Sequence, residues 1–312
     1  MKGPILILVG GVGGSKLVWG LCQVLSKTDL SIVVNTGDDE KFYGLHVSPD
    51  LDTVMYTLGD IANTITGWGI QDDTNQAIKM LEKYGEQTWF TLGDKDLGTH
   101  IRRTNLLNRG LTLSEVTKEL CKSLGVDQNI MPMTNDPVQT RIVTDEGEFP
   151  FQEYFVEKRC LPRVLSVKFD GASTATVSPG FDRALNEAGA IVFAPSNPML
   201  SIDPILSLPT VKERISRFSG PKIAVSPIVA GKAIKGPAAK ILEEMGKEVN
   251  CVSVAKHYQN LCNIFVLDQT DEHLCQEIVD LGFRAETTNT IMTQPADKVA
   301  LAKTTVKLIE GQ

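Results

Sequence analysis

The sequence predicts an α/β fold, a parallel sheet core with a mixed α/β insertion subdomain. Three observations predict it. An apolar run, Ile5–Val9, passes through a glycine cluster into a helical stretch and then a second apolar run, Leu30–Val34. Strand-length apolar runs recur at Ala190–Ala194, Lys222–Val225 and Asn263–Leu267, separated by helical stretches such as Pro237–Met245. Between these blocks the pattern is mixed. Continuous apolar runs alternating with helices are what a sheet buried between two helical layers requires.

In order, Ile5–Val9 is the first strand, Ser15–Leu25 its helix and Leu30–Val34 the second strand. This βαβ start puts the loops after both strands at the carboxyl edge of the sheet, where open α/β sheets bind ligands. Asp38-Asp39 and the glycine cluster are therefore expected to be neighbours. Residues 60–125 read as largely helical, with apolar positions at helical spacing in Asn75–Lys83 and Leu113–Leu124. Ser114, Glu115 and Lys118 fit a capped start for the latter. Residues 140–180 read as short strands, for example Arg141–Thr144 and Phe151–Val156, and Ala296–Ile309 as a closing amphipathic helix. Residues 1–60 and 181–312 are thus expected to form a nucleotide-binding core, and 61–180 an insertion covering the sheet edge.

Composition narrows the function. With 312 residues and 42% apolar content the chain can bury one large core or two small ones. A net charge of −7 argues against general nucleic-acid binding, so an anionic ligand must be drawn by local fields. Cys22, Cys121, Cys160, Cys251, Cys262 and Cys275 form no CxxC pair and no zinc spacing with histidine, as expected of reduced thiols. The first apolar run is too short to span a membrane and lacks the flanks of a signal peptide. A cytoplasmic protein without membrane contact is expected.

The chemistry concentrates in a few segments. Gly10-Gly11-Val12-Gly13-Gly14-Ser15-Lys16 is neither a Walker A loop nor a clean GxGxxG. At a strand's carboxyl end it is still a candidate phosphate cradle, because glycines let amides approach an anion and the helix start directs N–H groups at it. A tight turn without a ligand is the competing reading. Lys16 can meet a phosphate or simply be solvated. Asp38, Asp39, Asp50 and Asp52 place four carboxylates close by, and a divalent cation between them and a diphosphate reverses their repulsion. Asp50 and Asp52 also suit the cap of a helix beginning near Thr53.

Leu92–Thr104 carries His100 among charged neighbours, with Asp96 or Thr99 suited to cap a following helix. Ser196 and Asn197, between two prolines after a buried strand, suit recognition of an uncharged ligand part, or form a plain turn. Ser226 and the loop holding Gly231, Lys232, Lys235 and Gly236 can offer amides and cations to phosphates, or be a flexible surface loop.

Together, and in this order, these motifs make the chain resemble the 2-phospho-L-lactate transferases of coenzyme F-420 biosynthesis, including bacterial members that use a phosphoenolpyruvyl donor. The resemblance is carried by Gly10–Leu17, Asn35–Asp39, Pro49–Gly59, Gly67–Gly69, Leu92–Leu97, Thr99-His100 and Arg103-Thr104, and continues in Phe151–Tyr154, Ala194–Pro198, Ser226–Ile228, Gly231-Lys232 and Gly236. It covers nearly the whole chain.

The resemblance implies a Rossmann-like core, Mg²⁺ and a homodimer. It also implies transfer of a three-carbon phospho-acid from a guanylylated donor to the ribityl hydroxyl of the deazaflavin Fo, with loss of GMP. On that reading Gly10, Gly11, Val12, Gly13, Gly14, Lys16, Ser226, Gly231, Lys232 and Gly236 grip the nucleotide and its phosphates. Asp38 and Asp39 are catalytic, and metal ligands come from Asp38, Asp39, Asp50 and Asp52. Trp68, His100, Ser196 and Asn197 face the deazaflavin. A non-catalytic nucleotide-sugar-binding regulator of similar fold is the nearest rival. A dinucleotide dehydrogenase is more distant, because no lone acidic residue ends the second strand.

Overall fold

The computed structural model describes residues 3–311. Its first half runs β1 (Ile5–Val9), α1 (Gly11–Val24), β2 (Leu30–Val34), a hairpin of β3 (Glu40–Phe42) and β4 (Leu45–Val47), α2 (Pro49–Leu58), α3 (Gln76–Lys83), α4 (Asp94–Asn108) and α5 (Leu113–Ser123). There follow β5 (Asn129–Pro132), β6 (Gln139–Thr144), β7 (Gly147–Pro150), β8 (Val164–Asp170), α6 (Pro179–Glu187), β9 (Ala190–Phe193), α7 (Asp203–Leu206) and α8 (Val211–Arg217). The chain ends with β10 (Lys222–Val225), β11 (Ile228–Val229), β12 (Lys232–Ala233), α9 (Ala238–Glu244), α10 (Cys251–His257), β13 (Ile264–Asp268), α11 (Cys275–Asp280), β14 (Arg284–Thr288) and α12 (Pro295–Glu310).

Seven strands form one parallel sheet in the order β14-β13-β10-β9-β1-β2-β5. Alternation along β1 divides the core. Ile5, Ile7 and Val9 pack with Leu17 and Leu21 of α1, Val54 of α2 and Leu301 of α12, while Leu6 and Leu8 pack with Phe181 of α6, Ile215 of α8 and Ile241 of α9. Both faces being covered explains why these strands read as unbroken apolar runs. β1 pairs with β2 on one side and β9 on the other, so chain order reverses between β1 and β9. Exit loops diverge at such a switch point and leave a crevice.

Several expectations need correction. α1 starts at Gly11, not Ser15, so the glycines form its first turn. α2 starts at Pro49 rather than near Thr53, because proline's fixed φ suits a first helical position. This sets Asp50 and Asp52 inside the first turn, where the helix dipole favours carboxylates. α5 is capped by Thr112 in a capping box with Glu115, not by Ser114. α4 begins after Gly93, so Asp96 lies in its first turn and neither Asp96 nor Thr99 is its cap.

Phe151–Val156 is helical, not a strand. Phe151, Tyr154 and Phe155 sit at i, i+3 and i+4, a helical spacing, and β7 has already ended at Pro150. Residues 60–75 are mainly loop. β5, within the expected insertion, pairs with β2 at the edge of the main sheet, whereas β6, β7 and β8 form a separate antiparallel sheet.

Candidate active site

The crevice between β1 and β9 opens into a cavity of about 830 Å³. Glycines allow its walls to meet. Gly11 adopts φ +63°, a left-handed conformation that strains other residues. A Cβ at Gly10 would lie 2.4 Å from Asp50 Oδ2, and one at Gly13 would lie 2.5 Å from the Pro195 carbonyl. The Gly10 N–H donates to Ser196 Oγ at 3.1 Å, and the Ser196 hydroxyl donates to the Gly10 carbonyl at 2.6 Å. Ser196 therefore staples the two exit loops together across the switch point.

α2 delivers the acidic wall. Asp50 accepts from the Gly11 N–H at 2.7 Å and from Asn35 Nδ2 at 2.9 Å. Burial pushes its carboxyl up to about 6 against those two hydrogen bonds, with help from the Asp39 charge. Asp38 is buried beside the cavity, and its Oδ1 has no hydrogen-bond partner among the described residues. Burial, then the Asp50 charge, pushes it well above the usual carboxylate range. Asp39 does not line the cavity. Its Oδ2 accepts from Ser48 Oγ at 2.7 Å and lies 3.0 Å from His46 Nε2, and burial raises it. Asp52 lines the cavity, but both its oxygens are taken by Arg103, one at 3.1 Å.

Among the described residues, no group of three or more His, Cys, Asp or Glu side chains is arranged to hold a metal alone. The donor set still suits Mg²⁺, which is commonly bound by one or two carboxylates, waters and substrate phosphates. Asp38 has an orphaned buried oxygen, and the adjacent Asp50 makes a like-charge pair that a cation would neutralise.

A cationic wall adjoins the start of α1. Lys16 Nζ donates to the Met292 carbonyl at 2.9 Å; burial, then the charges of Lys235 and Lys298, pull its ammonium below the usual lysine range. Lys235 Nζ donates to the Thr66 carbonyl at 2.5 Å and lies 5.7 Å from the centre of the Trp68 ring. Two mutually repelling lysines at a helix N-terminus favour an anion there.

The rest of the lining is largely apolar: Trp68, Trp89, Phe90, Phe151 and Phe155, with Tyr56. Phe151 and Phe155 stack at 5.4 Å.

The cavity gathers Gly10, Gly11, Val12, Gly13, Lys16, Asp38, Asp50, Asp52, Trp68, His100, Ser196, Asn197 and Gly236. It does not gather Gly14, Asp39, Ser226, Gly231 or Lys232. Gly14 instead makes room for Ser196, whose Oγ would lie 2.4 Å from an added Cβ. Ser226 closes a turn on Ile228, and Gly231 turns the β11–β12 hairpin with φ +70°. Tyr56, Trp89, Phe90, Phe151 and Phe155 have no site role in the sequence reading, although Tyr56 and Phe151 fall within segments that carry the resemblance. The adjacent Trp89-Phe90 pair, in a chain with 6% aromatics, was the available signal.

Residues 5–307 match the family model described as 2-phospho-L-lactate transferase CofD. The chain belongs to this CofD family. It is 38% identical over 306 residues to the 2-phospho-L-lactate transferase of Methanosarcina acetivorans, covering 98% of this chain and 99% of that one. It is also 38% identical over 312 residues to the phosphoenolpyruvate transferase of Streptomyces griseus, covering 98% of each. A crystal structure of a UPF0052 family member from Bacillus halodurans matches with a TM-score of 0.63 at 15% identity, covering 98% of this chain and 99% of that one. That likeness establishes a shared fold. Membership makes the chain a transferase of the CofD type. No helix among the described residues is long and apolar enough to cross a membrane.

Proposed function

We propose that the chain transfers a three-carbon phospho-acid group from a guanosine diphosphate-type donor to the ribityl hydroxyl of Fo, releasing GMP, in coenzyme F-420 biosynthesis. The observation that carries the reading is one cavity pairing an anion-binding wall (Val12 and Gly13 at the start of α1, Lys16, Lys235) with an apolar aromatic lining. The first suits a diphosphate, and the second a planar tricycle. Both relatives' names, phospholactate and phosphoenolpyruvate transferase, come with the same identity, so the three-carbon group is left to assay.

Displacement at phosphorus depends on positioning and charge stabilisation. The amides of α1 that follow the Asp50-capped Gly11, those of Val12 and Gly13, and the ammonium groups of Lys16 and Lys235 hold the diphosphate. Asp38 and Asp50 would hold Mg²⁺, which when bound offsets the charge of the diphosphate and of departing GMP. Asp52, committed to Arg103, frames the wall rather than donating to the ion. Asn197 and the aromatic side chains orient the acceptor. A carboxylate of the acidic wall takes the ribityl proton. The resemblance also favours a homodimer.

The test is incubation with Fo, magnesium and guanylylated phospholactate, phosphoenolpyruvate or phosphoglycerate, reading GMP and product mass. Release of GMP with one donor supports the reading. No release with any donor overturns it and favours a non-catalytic nucleotide-sugar binder.

A further inference from the structure

Arg103 is among the largest fully buried side chains of the protein. It reaches from the middle of α4 to Asp52 with both terminal nitrogens. Its Nη1 also lies 3.2 Å from His100 Nδ1. A guanidinium has donors only, so Nδ1 must accept. An imidazolium, or the ring with its hydrogen on Nδ1, would set N–H against N–H.

The other ring nitrogen completes the argument. His100 Nε2 is buried, lines the cavity through its residue, and has no hydrogen-bond partner among the described residues. It lies 3.3 Å from Asp96 Oδ1, near enough to help hold that carboxyl low against burial, but the alignment is too poor for a hydrogen bond and that oxygen already accepts the Tyr56 hydroxyl at 2.6 Å. A buried unpaired donor beside a cavity is costly until a ligand supplies an acceptor. Asp52 and Asp96 flank the ring and would repel a phosphate. The partner is therefore an uncharged carbonyl or hydroxyl oxygen.

We propose that Arg103 is a positioning residue that locks His100 as the neutral imidazole with its hydrogen on Nε2, so that His100 meets the acceptor substrate as a hydrogen-bond donor and not as a base. The assignment of the ligand to the acceptor rests on the transferase reading above; the tautomer does not.

Long-range proton–nitrogen correlation on protein with ¹⁵N-labelled histidine tests the tautomer without substrates. The chain has 4 histidines, so a His100→Gln variant assigns the signal. At neutral pH the expected pattern is unprotonated Nδ1 and protonated Nε2. An imidazolium or an Nδ1–H ring overturns the proposal. Arg103→Lys keeps the charge and loses the fork, and is expected to mix the tautomers; where it does not fold, Asp52→Asn releases the guanidinium instead. An unchanged pattern in the folded variant removes Arg103 from the role.

Fo binding by fluorescence reads the ligand half independently of turnover. His100→Phe, without a donor, is expected to weaken Fo about tenfold, and His100→Gln less, because its amide can still donate. Equal losses overturn the donor role. Absent GMP release by the wild type would defeat the transferase reading while the nitrogen spectrum still decided the tautomer.

Discussion

Protons and magnesium should compete for the same buried carboxylates and therefore move the stability of the protein in linked ways. Asp50 is pushed up from 3.8 to about 6, by burial before all else, and Asp38 moves in the same direction. The folded state then binds protons more tightly than the unfolded chain. The stabilisation is complete below about pH 4 and is lost as pH rises through about 6. For Asp50 alone the rise corresponds to about 3 kcal/mol, at about 1.36 kcal/mol per pH unit. In a chain of this length that is roughly a 5 °C fall in Tm. Carboxylates held low by hydrogen bonds, such as Asp94 on Thr74 and Asp136 on Thr176, act below about pH 4 and leave this window clear.

Magnesium at about a hundred times its Kd should return about 2.7 kcal/mol where both carboxylates are ionised, and much less where a proton holds the site. The assay is thermal denaturation across about pH 4.5 to 8, in EDTA and in magnesium, for the wild type and Asp38→Asn. In EDTA the wild-type Tm should fall with rising pH, and magnesium should restore it above about pH 7 but not near pH 5. Asp38→Asn, which removes the Asp38 titration and leaves the burial-raised Asp50, should lessen the slope of the EDTA curve and abolish the magnesium effect. A wild-type Tm that climbs with pH in EDTA, or magnesium stabilisation that persists in Asp38→Asn, would refute the pairing of these carboxylates around a cation.

Further outcomes follow from the same geometry. Asp38→Asn should lower kcat at least about a hundredfold while circular dichroism shows an intact fold, because in the proposed mechanism the acidic wall acts on the reacting charge. Lys235→Ala should raise donor KM about tenfold and Lys232→Ala should leave it near wild type, since only Lys235 lines the cavity; equal effects would return the anion site to the hairpin. Gly13→Ala sets a Cβ 2.5 Å from the Pro195 carbonyl and should separate the two exit loops, seen as a loss of about 1–3 kcal/mol in urea unfolding with weaker donor binding. Phe151→Ala should weaken Fo more than the donor in a binding titration, and the reverse order would misplace the acceptor.

What the sequence made legible was the sheet and its edge. β1, β2, β9, β10 and β13 are buried on both faces, so burial alone wrote them as apolar runs, and the βαβ start placed the glycine loop at the carboxyl edge, while the β1–β9 switch point depends on a strand order that no local pattern encodes. The glycines were legible as a close approach, though what approaches is partly the protein itself: Asp50 caps the Gly11 amide and Ser196 pins Gly10. Side-chain destinations were hidden. Asp38 and Asp39 are adjacent in sequence, yet one lines the cavity while the other is tied to Ser48, because that depends on a hairpin whose packing no local pattern encodes. Lys232 and Lys235 differ only by their place relative to β12. Arg103 reads like an ordinary helical arginine until α2 supplies Asp52, 51 positions earlier, as its partner. Local periodicity specifies which face is buried; which polar groups meet there is set by the crossing of distant elements. The transferase class was therefore recoverable from motif order, whereas the partners of the carboxylates emerged only with the β3–β4 hairpin beside Asp39 and with Arg103 of α4 against Asp52.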